Sequence, residues 1–254
     1  MKISAIIQAR TDSNRLYGKV LKKINKKPLI QIQVERLKTS KLINTIILAT
    51  TNKKTDDKLA NFCKEKLKIG IFRGSEKNVL NRVFNASVKN KVDIIVECFG
   101  DSPLIDSSLI DNLLKKFIKL KVDVLTNALA RTFPAGQEVT IYKKKSIRKL
   151  EKIVKKNDIL REHVGFNFFR YPEYFNWHNV KASKKKNFPN CYLEVDTKKD
   201  FLFLKSLILN MNNLNIKLNL DNIILFLKKR KDLLKINDNV QRKWKGVYKK
   251  YIKI

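Results

Sequence analysis

Two parts of this 254-residue sequence, far apart along the chain, carry residue types that can bind phosphate and a metal ion. The first is a loop over residues 8–19, which follows an apolar run at residues 3–8 and carries Arg10, Arg15 and Lys19. Backbone N–H groups and basic side chains in such a loop can bind the oxygens of a triphosphate. The loop lacks the glycine spacing of a Walker A or GxGxxG sequence. Its pattern alone is therefore equally consistent with a basic surface loop that binds no phosphate.

The second part consists of two aspartates, each at the predicted end of a strand. Asp101 follows the apolar run at residues 92–99, and Asp196 follows residues 193–195 and precedes a helix. Carboxylates at such positions suit Mg²⁺, which takes one or two protein carboxylates together with phosphate oxygens and water. Each aspartate has an alternative role as a helix cap, although Asp106 is the better cap after Asp101.

Alternating strands and helices are expected to position these residues. Apolar runs of strand length alternate with amphipathic stretches of helix length, which predicts βαβ units and a mostly parallel sheet. Ligands of such sheets bind at the carboxyl ends of the strands, where both candidate parts lie. The predicted strands are residues 3–8, 45–49, 69–72, 92–99 and 122–126, and the predicted helices are residues 28–40, 55–66, 76–88 and 107–120.

The pattern is less regular after residue 126. Two further strands, at residues 138–142 and 175–180, are predicted as antiparallel additions. Helices are predicted at residues 147–155, 201–209 and 220–254, the last of them very basic. The simplest division is one domain over residues 1–215 and a basic helical extension over residues 216–254.

The formal charge of +33 raises the question of a polyanionic partner. The excess is mostly lysine spread along the chain beside many Asn and Ile residues, which A/T-rich codons explain. No nucleic-acid motif accompanies the charge, so no nucleic-acid partner is expected. A polyanion-binding role for residues 228–253 stays open as the non-enzymatic alternative.

Three separated cysteines without a CxxC pair suit a reducing compartment rather than a disulfide framework or zinc site. No signal peptide is visible, and no apolar run reaches the roughly 20 residues of a spanning helix. We therefore expect a soluble, cytoplasmic protein without membrane insertion.

Six segments occur in a fixed order along the chain. They are IIQAR at residues 6–10 with RL at 15–16 and GKVL at 18–21, FRGSE at 72–76 with VL at 79–80 and Arg82, GDSPLID at 100–106, RTFP at 131–134 with Gly136, REHV at 161–164, and VDT at 195–197 with Asp200. With these segments the sequence resembles the CMP-sugar synthetases, a cytidylyltransferase family with acylneuraminate, 3-deoxy-manno-octulosonate and spore-coat polysaccharide branches, of which the last is the most similar. The resemblance covers roughly residues 1–210, and ordered motifs are more specific than any one loop. The resemblance also marks residues 130–190 as a sugar-binding or dimerisation insert.

The resemblance implies a Rossmann-like nucleotide-diphospho-sugar transferase fold, with a mixed but mostly parallel sheet flanked by helices. It also implies transfer of a cytidylyl group from CTP to an acidic sugar, with Mg²⁺ as cofactor, in a homodimer joined around residues 130–190. Another sugar nucleotidyltransferase or a glycosyltransferase of the same fold is the alternative.

The resemblance also assigns roles to single residues. Gln8, Ala9 and Arg10 would contact the nucleotide, Arg15 and Lys19 its phosphates, and Arg73, Gly74 and Ser75 the cytosine and ribose. Asp101 and Asp196 would ligate Mg²⁺ and, with Arg10 and Lys19, form the catalytic set. Arg131, Gln137, Glu138, Glu162 and His163 would border the acceptor sugar, and we favour sugar contact over a general-base role for His163.

Overall fold

A seven-stranded mixed sheet with helices on both faces forms the protein, as seen in a computed structural model that describes residues 1–242. A separate two-stranded hairpin, β2–β3, follows the first loop. In chain order the strands are β1 (Ile3–Gln8), β2 (Lys23–Ile24), β3 (Lys27–Pro28), β4 (Thr45–Thr51), β5 (Gly70–Gly74), β6 (Ile94–Phe99), β7 (Val124–Thr126), β8 (Thr140–Lys143) and β9 (Trp177–Asn179).

The strand order across the sheet is β5-β4-β1-β6-β8-β7-β9. Strands β5, β4, β1 and β6 are mutually parallel, as predicted, and β8 is antiparallel to both β6 and β7. The prediction that residues 175–180 form an antiparallel strand is wrong, because β9 runs parallel to its neighbour β7. The alternation of residues in a sequence can identify a strand but not its direction. The direction of β9 depends on the helical connection that joins it to β8.

The helices agree with the predicted sequence of elements but differ at their ends. The helix predicted for residues 76–88 begins at Val79, because the side chain of Asn78 accepts a hydrogen bond from Asn81 N and caps it. The stretch at 55–66 is a short 3₁₀ turn, an α-helix and a π-helical turn rather than one helix. The α-helices are α1 (Leu29–Leu37), α2 (Asp57–Asn61), α3 (Val79–Lys89), α4 (Ser107–Leu120), α5 (Lys144–Ile153), α6 (Val164–Phe168), α7 (Lys198–Asn213), α8 (Leu220–Lys229) and α9 (Lys231–Leu234).

Two apolar clusters lie on the two faces of the sheet. Alternate residues of β1 contribute to them, with Ile7 in one cluster and Ile6 in the other. Helices α1, α4, α7 and α8 cover the first face, and α3, α5 and α6 cover the second. A parallel strand that is buried on both faces explains the continuous apolar run of β1.

Helix α8 packs into the same cluster as the central strands, through Ile223 and Leu227. The domain boundary placed at residue 215 stays a prediction, but residues 220–234 share the main core. The prediction of one helix over residues 220–254 is wrong for its described part, because α8 ends at Lys229, α9 ends at Leu234 and residues 235–242 are not helical. Its remainder, from residue 243 onward, lies outside the described residues. Among residues 1–242, no helix has the length and apolar character needed to cross a bilayer.

Candidate active site

The two candidate parts of the sequence meet because β1 and β6 are parallel neighbours. Gln8 pairs with Phe99 at the carboxyl ends of these strands, and Gly100 N donates a hydrogen bond to Gln8 O at 2.9 Å. The loop after β1 and the loop that carries Asp101 therefore leave the sheet side by side. This is the edge where open α/β sheets bind ligands.

The loop after β1 is held in shape by a buried carboxylate. Asp56 accepts hydrogen bonds from the N–H and the hydroxyl of Thr11, both at 2.7 Å, and also from the hydroxyls of Thr50 and Thr51. Burial alone would raise the pKa of Asp56, but these hydrogen bonds outweigh it and lower the pKa. The sequence indicated only that Asp56 favours the first turn of a helix, so its role as the anchor of this loop was missed.

The loop then turns at Gly18, whose φ of 62° lies in the left-handed region that glycine adopts without strain. Gly18 N donates to Thr11 O at 2.8 Å and closes the loop. The short 3₁₀ turn that follows begins at Lys19 and directs its side chain into the protein.

Lys19 joins the two candidate aspartates. Its Nζ lies 2.8 Å from Asp101 Oδ2 and 2.9 Å from Asp196 Oδ1, and Arg15 reaches the same Asp196 oxygen at 2.7 Å. Burial lowers the pKa of Lys19, but the two carboxylates outweigh burial and raise it. The ammonium therefore stays charged, and the predicted convergence of Asp101 and Asp196 is present in the fold.

Asp196 is brought beside Asp101 by backbone pairing and by the start of α7. Val195 N donates to Asp101 O at 2.8 Å. Thr197 and Asp200 form a capping box at the first turn of α7, directly after Asp196. The strand predicted over residues 193–195 is wrong, since these residues belong to no strand and only the preceding Tyr192 forms an isolated bridge, with Ala135.

A buried arginine supports this turn from the far end of the described chain. Arg242 donates to Asp200 Oδ1 at 2.7 Å, and its guanidinium lies 4.3 Å from the ring centre of Tyr192. Asn237 also donates to Asp200, at 2.9 Å. Residues 237–242 thus help to fix the loop that carries Asp196.

The donor set at Asp101 and Asp196 fits Mg²⁺. The oxygens are hard ligands on facing loops, each within hydrogen-bonding distance of one ammonium. Within residues 1–242 there is no group of three or more acidic, histidine or cysteine side chains that could hold a metal on its own. Mg²⁺ at these two carboxylates would therefore take its remaining ligands from phosphate oxygens and water, as it commonly does.

A cavity of about 630 Å³ opens beside the loop after β1. Its walls include the predicted nucleotide and phosphate ligands of the loop after β1 together with Asp101, and also residues that were not assigned roles. Arg82 is one of these. Its pKa is lowered to about 10, mainly by burial and to a smaller extent by repulsion from Arg10. The predicted site residues that line it are Gln8, Ala9, Arg10, Arg15, Lys19, Asp101, Glu162 and His163.

Arg10 lies at this cavity between two carboxylates. Its guanidinium is 3.0 Å from Glu76 and 3.6 Å from Glu162, and Lys53 contacts Glu76 at 2.7 Å. Asp12 contacts the same Lys53 at 3.2 Å. A chain of ion pairs therefore runs along one side of the cavity, where phosphate groups would compete for the cations.

A second cavity of about 250 Å³ adjoins the first and shares Arg15, Phe99, Asp101 and His163 with it. Its other walls come from β6, β8, α6 and the loop after β7. Arg131, Glu138 and His163 line it, and their contact with an acceptor sugar stays a prediction. The two cavities meet at Asp101 and Arg15.

The remaining acceptor-side residues differ in their surroundings. Glu138 accepts from Gly136 N at 2.6 Å and lies 3.6 Å from Arg131, and its burial raises its pKa. Burial lowers the pKa of His163, which favours a neutral imidazole. Gln137 is fully buried and bonds to Leu104 O and Asp106 N, so it supports the start of α4 and lines neither cavity.

Arg73, Gly74 and Ser75 lie on β5 and just after it, and they line neither of the two cavities. Arg73 bonds to Asp57 and to the carbonyls of Thr51 and Lys53. Ser75 O accepts from Arg82 at 2.6 Å. Their contact with cytosine and ribose stays a prediction.

Comparisons with known proteins agree with this geometry. The model of a family described as cytidylyltransferase matches residues 4–233. An uncharacterized protein of Methanocaldococcus jannaschii is 35% identical over 96% of this chain and 97% of its own length. The spore coat polysaccharide biosynthesis protein SpsF of Bacillus subtilis is 30% identical over 80% of this chain and 84% of its own.

A solved structure extends the likeness to three dimensions. A cytidylyltransferase from Leptospira borgpetersenii superposes with a TM-score of 0.86 at 29% identity, covering 95% of this chain and 99% of that one. Together with the family match, this likeness identifies the chain as a nucleotidyltransferase. Within that class, the chain belongs to the cytidylyltransferase family.

Proposed function

We propose that this protein transfers the cytidylyl group of CTP to an acidic sugar of the nonulosonic or octulosonic type, giving a CMP-sugar and pyrophosphate. The observation that carries the proposal is the junction of the two cavities at Lys19, Asp101 and Asp196. The larger cavity supplies cations for a triphosphate, and the smaller one is the size of a sugar-binding site. The product would serve the synthesis of a surface polysaccharide or glycan.

In this reaction a sugar hydroxyl oxygen bonds to the α-phosphorus, and the bond between the α- and β-phosphates breaks. Such transfer depends on in-line positioning and on charge neutralisation rather than on a protein nucleophile. Arg10, Arg15 and Lys19 would neutralise the charge that develops on the leaving pyrophosphate. Lys19 is suited to this because it stays charged although its side chain is only 11% exposed.

Asp101 and Asp196 would hold Mg²⁺, which when bound supplies a Lewis acid for the phosphate oxygens and a template for the two substrates. For this to happen, Lys19 and Arg15 would release the carboxylate oxygens that they now contact and turn to the phosphates. Both cations are already at hydrogen-bonding distance from the proposed metal ligands.

An acidic acceptor is supported by the arginines of the smaller cavity. Arg131 and Arg15 both line it, and a planar guanidinium binds a carboxylate through two parallel hydrogen bonds. His163 lies between the two cavities and, being neutral, can donate or accept one hydrogen bond to a sugar hydroxyl. The relation to SpsF supports a role in polysaccharide synthesis.

The test is a pyrophosphate-release assay with each of the four nucleoside triphosphates, Mg²⁺ and a panel of nonulosonic and octulosonic acids. CTP with one of these acids should release pyrophosphate, and Asp101→Asn and Asp196→Asn should each lower the rate at least about 100-fold. Asp221→Asn changes an exposed aspartate far from both cavities and should leave the rate unchanged. Turnover with another triphosphate, or full activity in either aspartate variant, would contradict the proposal.

A further inference from the structure

Glu97 is a buried carboxylate on the wall of the smaller cavity, and none of the roles above uses it. It lies on β6, between β1 and β8, and is 1% exposed. Thr140, Val164 and Gly165 line the cavity beside it. Carboxylates are seldom buried to this extent unless they are paired.

The hydrogen bonds of Glu97 use only one of its two oxygens. Oε1 accepts from Gln8 Nε2 at 2.8 Å and from Gly165 N at 3.3 Å. Oε2 makes no hydrogen bond of ordinary geometry within residues 1–242, and the same holds for the buried hydroxyl of Tyr142. Tyr142 is nevertheless close enough to influence the pKa of Glu97.

No cation within residues 1–242 pairs with Glu97. None of the ion pairs among the described residues includes it, although the chain carries 56 Lys and Arg residues. Burial raises its pKa to about 7, which the neighbouring Gln8, Gly165 and Tyr142 oppose only in part. A buried carboxylate without a cation beside it is costly, whereas an apolar side chain at this position would not be.

Gly165 packs closely against the second oxygen of Glu97. A methyl group added at Gly165 would stand only 2.7 Å from Glu97 Oε2 and 3.1 Å from Thr140 Oγ1, which is too close for a side chain at this position. Because residue 165 is glycine, no side chain separates Glu97 from Thr140, and both residues line the smaller cavity. The two together can bind a group that donates one hydrogen bond and accepts another, as a hydroxyl does.

We propose that Glu97 is a specificity-determining residue that accepts a hydrogen bond from a hydroxyl group of the acceptor sugar. This proposal rests on the proposed function, since it assumes that the smaller cavity holds the acceptor. The bond to Gln8, which lines the larger cavity, also connects the two binding sites. If the sugar lacked the contacted hydroxyl, the second oxygen of this carboxylate would stay buried without a hydrogen-bond donor. The site would therefore discriminate against that sugar.

The test compares Glu97→Met and Glu97→Gln with the wild type, using the sugar acid of the panel that gives the fastest turnover. Glu97→Met should lower kcat/KM for the acceptor about 10- to 100-fold, because that is the effect of losing one hydrogen bond to a charged group. Glu97→Gln, which keeps one acceptor oxygen, should lose less. Glu65→Met serves as the matched control at an exposed position and should match the wild type.

Two further measurements separate recognition of the sugar from support of the fold. CTP binding, followed by thermal shift, should change far less than the acceptor KM. Among single-deoxy analogues of the acceptor, one should react equally well with the wild type and with Glu97→Met. An unchanged acceptor KM, or an equal loss of CTP affinity showing that Glu97 only positions Gln8, would overturn the proposal. Absence of pyrophosphate from the wild type would instead contradict the proposed function itself.

Discussion

Lys19 Nζ lies 2.8 Å from Asp101 Oδ2, although 82 residues separate them in the chain. The contact places a charged ammonium against a proposed metal ligand, at the junction of two cavities. We therefore expect Lys19 to have two functions, one in the charge balance of the folded protein and one in the proposed reaction.

We expect Lys19→Met to lower kcat/KM about 100- to 1,000-fold, because it removes a cation that faces the leaving pyrophosphate. It should also lower the free energy of unfolding by a few kcal/mol, about what is lost when one member of a buried ion pair is removed. Steady-state kinetics and urea denaturation measure the two effects. Lys23→Met, at an exposed position four residues away, should show neither, and wild-type kinetics in Lys19→Met would rule out its role in the reaction.

Glu97 should make stability depend on pH. Its pKa is about 7 in the folded protein and 4.5 as an ordinary glutamate, so between these values the folded state binds the proton more tightly. The stability from this group is therefore fully present below pH 4.5 and is lost as the pH rises through 7. The unfolding free energy of Glu97→Gln, relative to the wild type, should rise by up to about 3 kcal/mol between pH 5 and pH 8. If the difference in unfolding free energy between Glu97→Gln and the wild type does not vary with pH, Glu97 is already ionised at pH 5.

Glu76→Gln should strengthen CTP binding about two- to fivefold, within the range of exposed ion pairs. Glu76 holds Arg10 at 3.0 Å and Lys53 at 2.7 Å beside the larger cavity. Its neutralisation frees both cations and removes a negative charge near the triphosphate. Calorimetric titration with CTP at low and high salt measures the effect, with Glu65→Gln as the control. Weaker binding in Glu76→Gln would mean that this carboxylate orients Arg10 rather than competing for it.

Gly100→Ala should lower the free energy of unfolding by about 1–3 kcal/mol through overpacking. The added methyl group would lie 2.5 Å from the Cβ of Ala9, where the ends of β1 and β6 approach each other most closely. Ala9→Gly in the same chain removes the clash and should restore most of the lost stability. Thermal unfolding of the two single variants and the double variant tests this, and simple additivity of their effects would contradict it.

The sequence predicted the parallel half of the fold well because each of its strands is a continuous apolar run between amphipathic helices. The loop after β1 and the loop that carries Asp101 were expected to meet, since residues after parallel strands share one edge of the sheet. The meeting of Asp101 with Asp196 was implied only by the family resemblance, because no strand directly precedes Asp196 in the fold. The direction of β9 and the irregular loop at Leu193 were not predicted, because they depend on tertiary connections rather than on residue alternation.

Glu97 and Asp56 escaped notice for a related physical reason. Glu97 interrupts an otherwise apolar strand, and Asp56 precedes a helix, so each has an ordinary local explanation. Their burial and bonding partners arise from packing between elements that are distant in the chain. Only the three-dimensional structure separates such residues from solvent-exposed acids.

The two cavities draw on different stretches of the chain. The wall of the smaller one comes largely from residues 128–169, whereas the larger one depends mainly on residues 8–20 and 76–82. Under the proposed function, exchanging residues 128–169 between related enzymes would redirect them to new saccharides while the donor nucleotide is retained. Chimeras cut at these boundaries would then make new CMP-sugars.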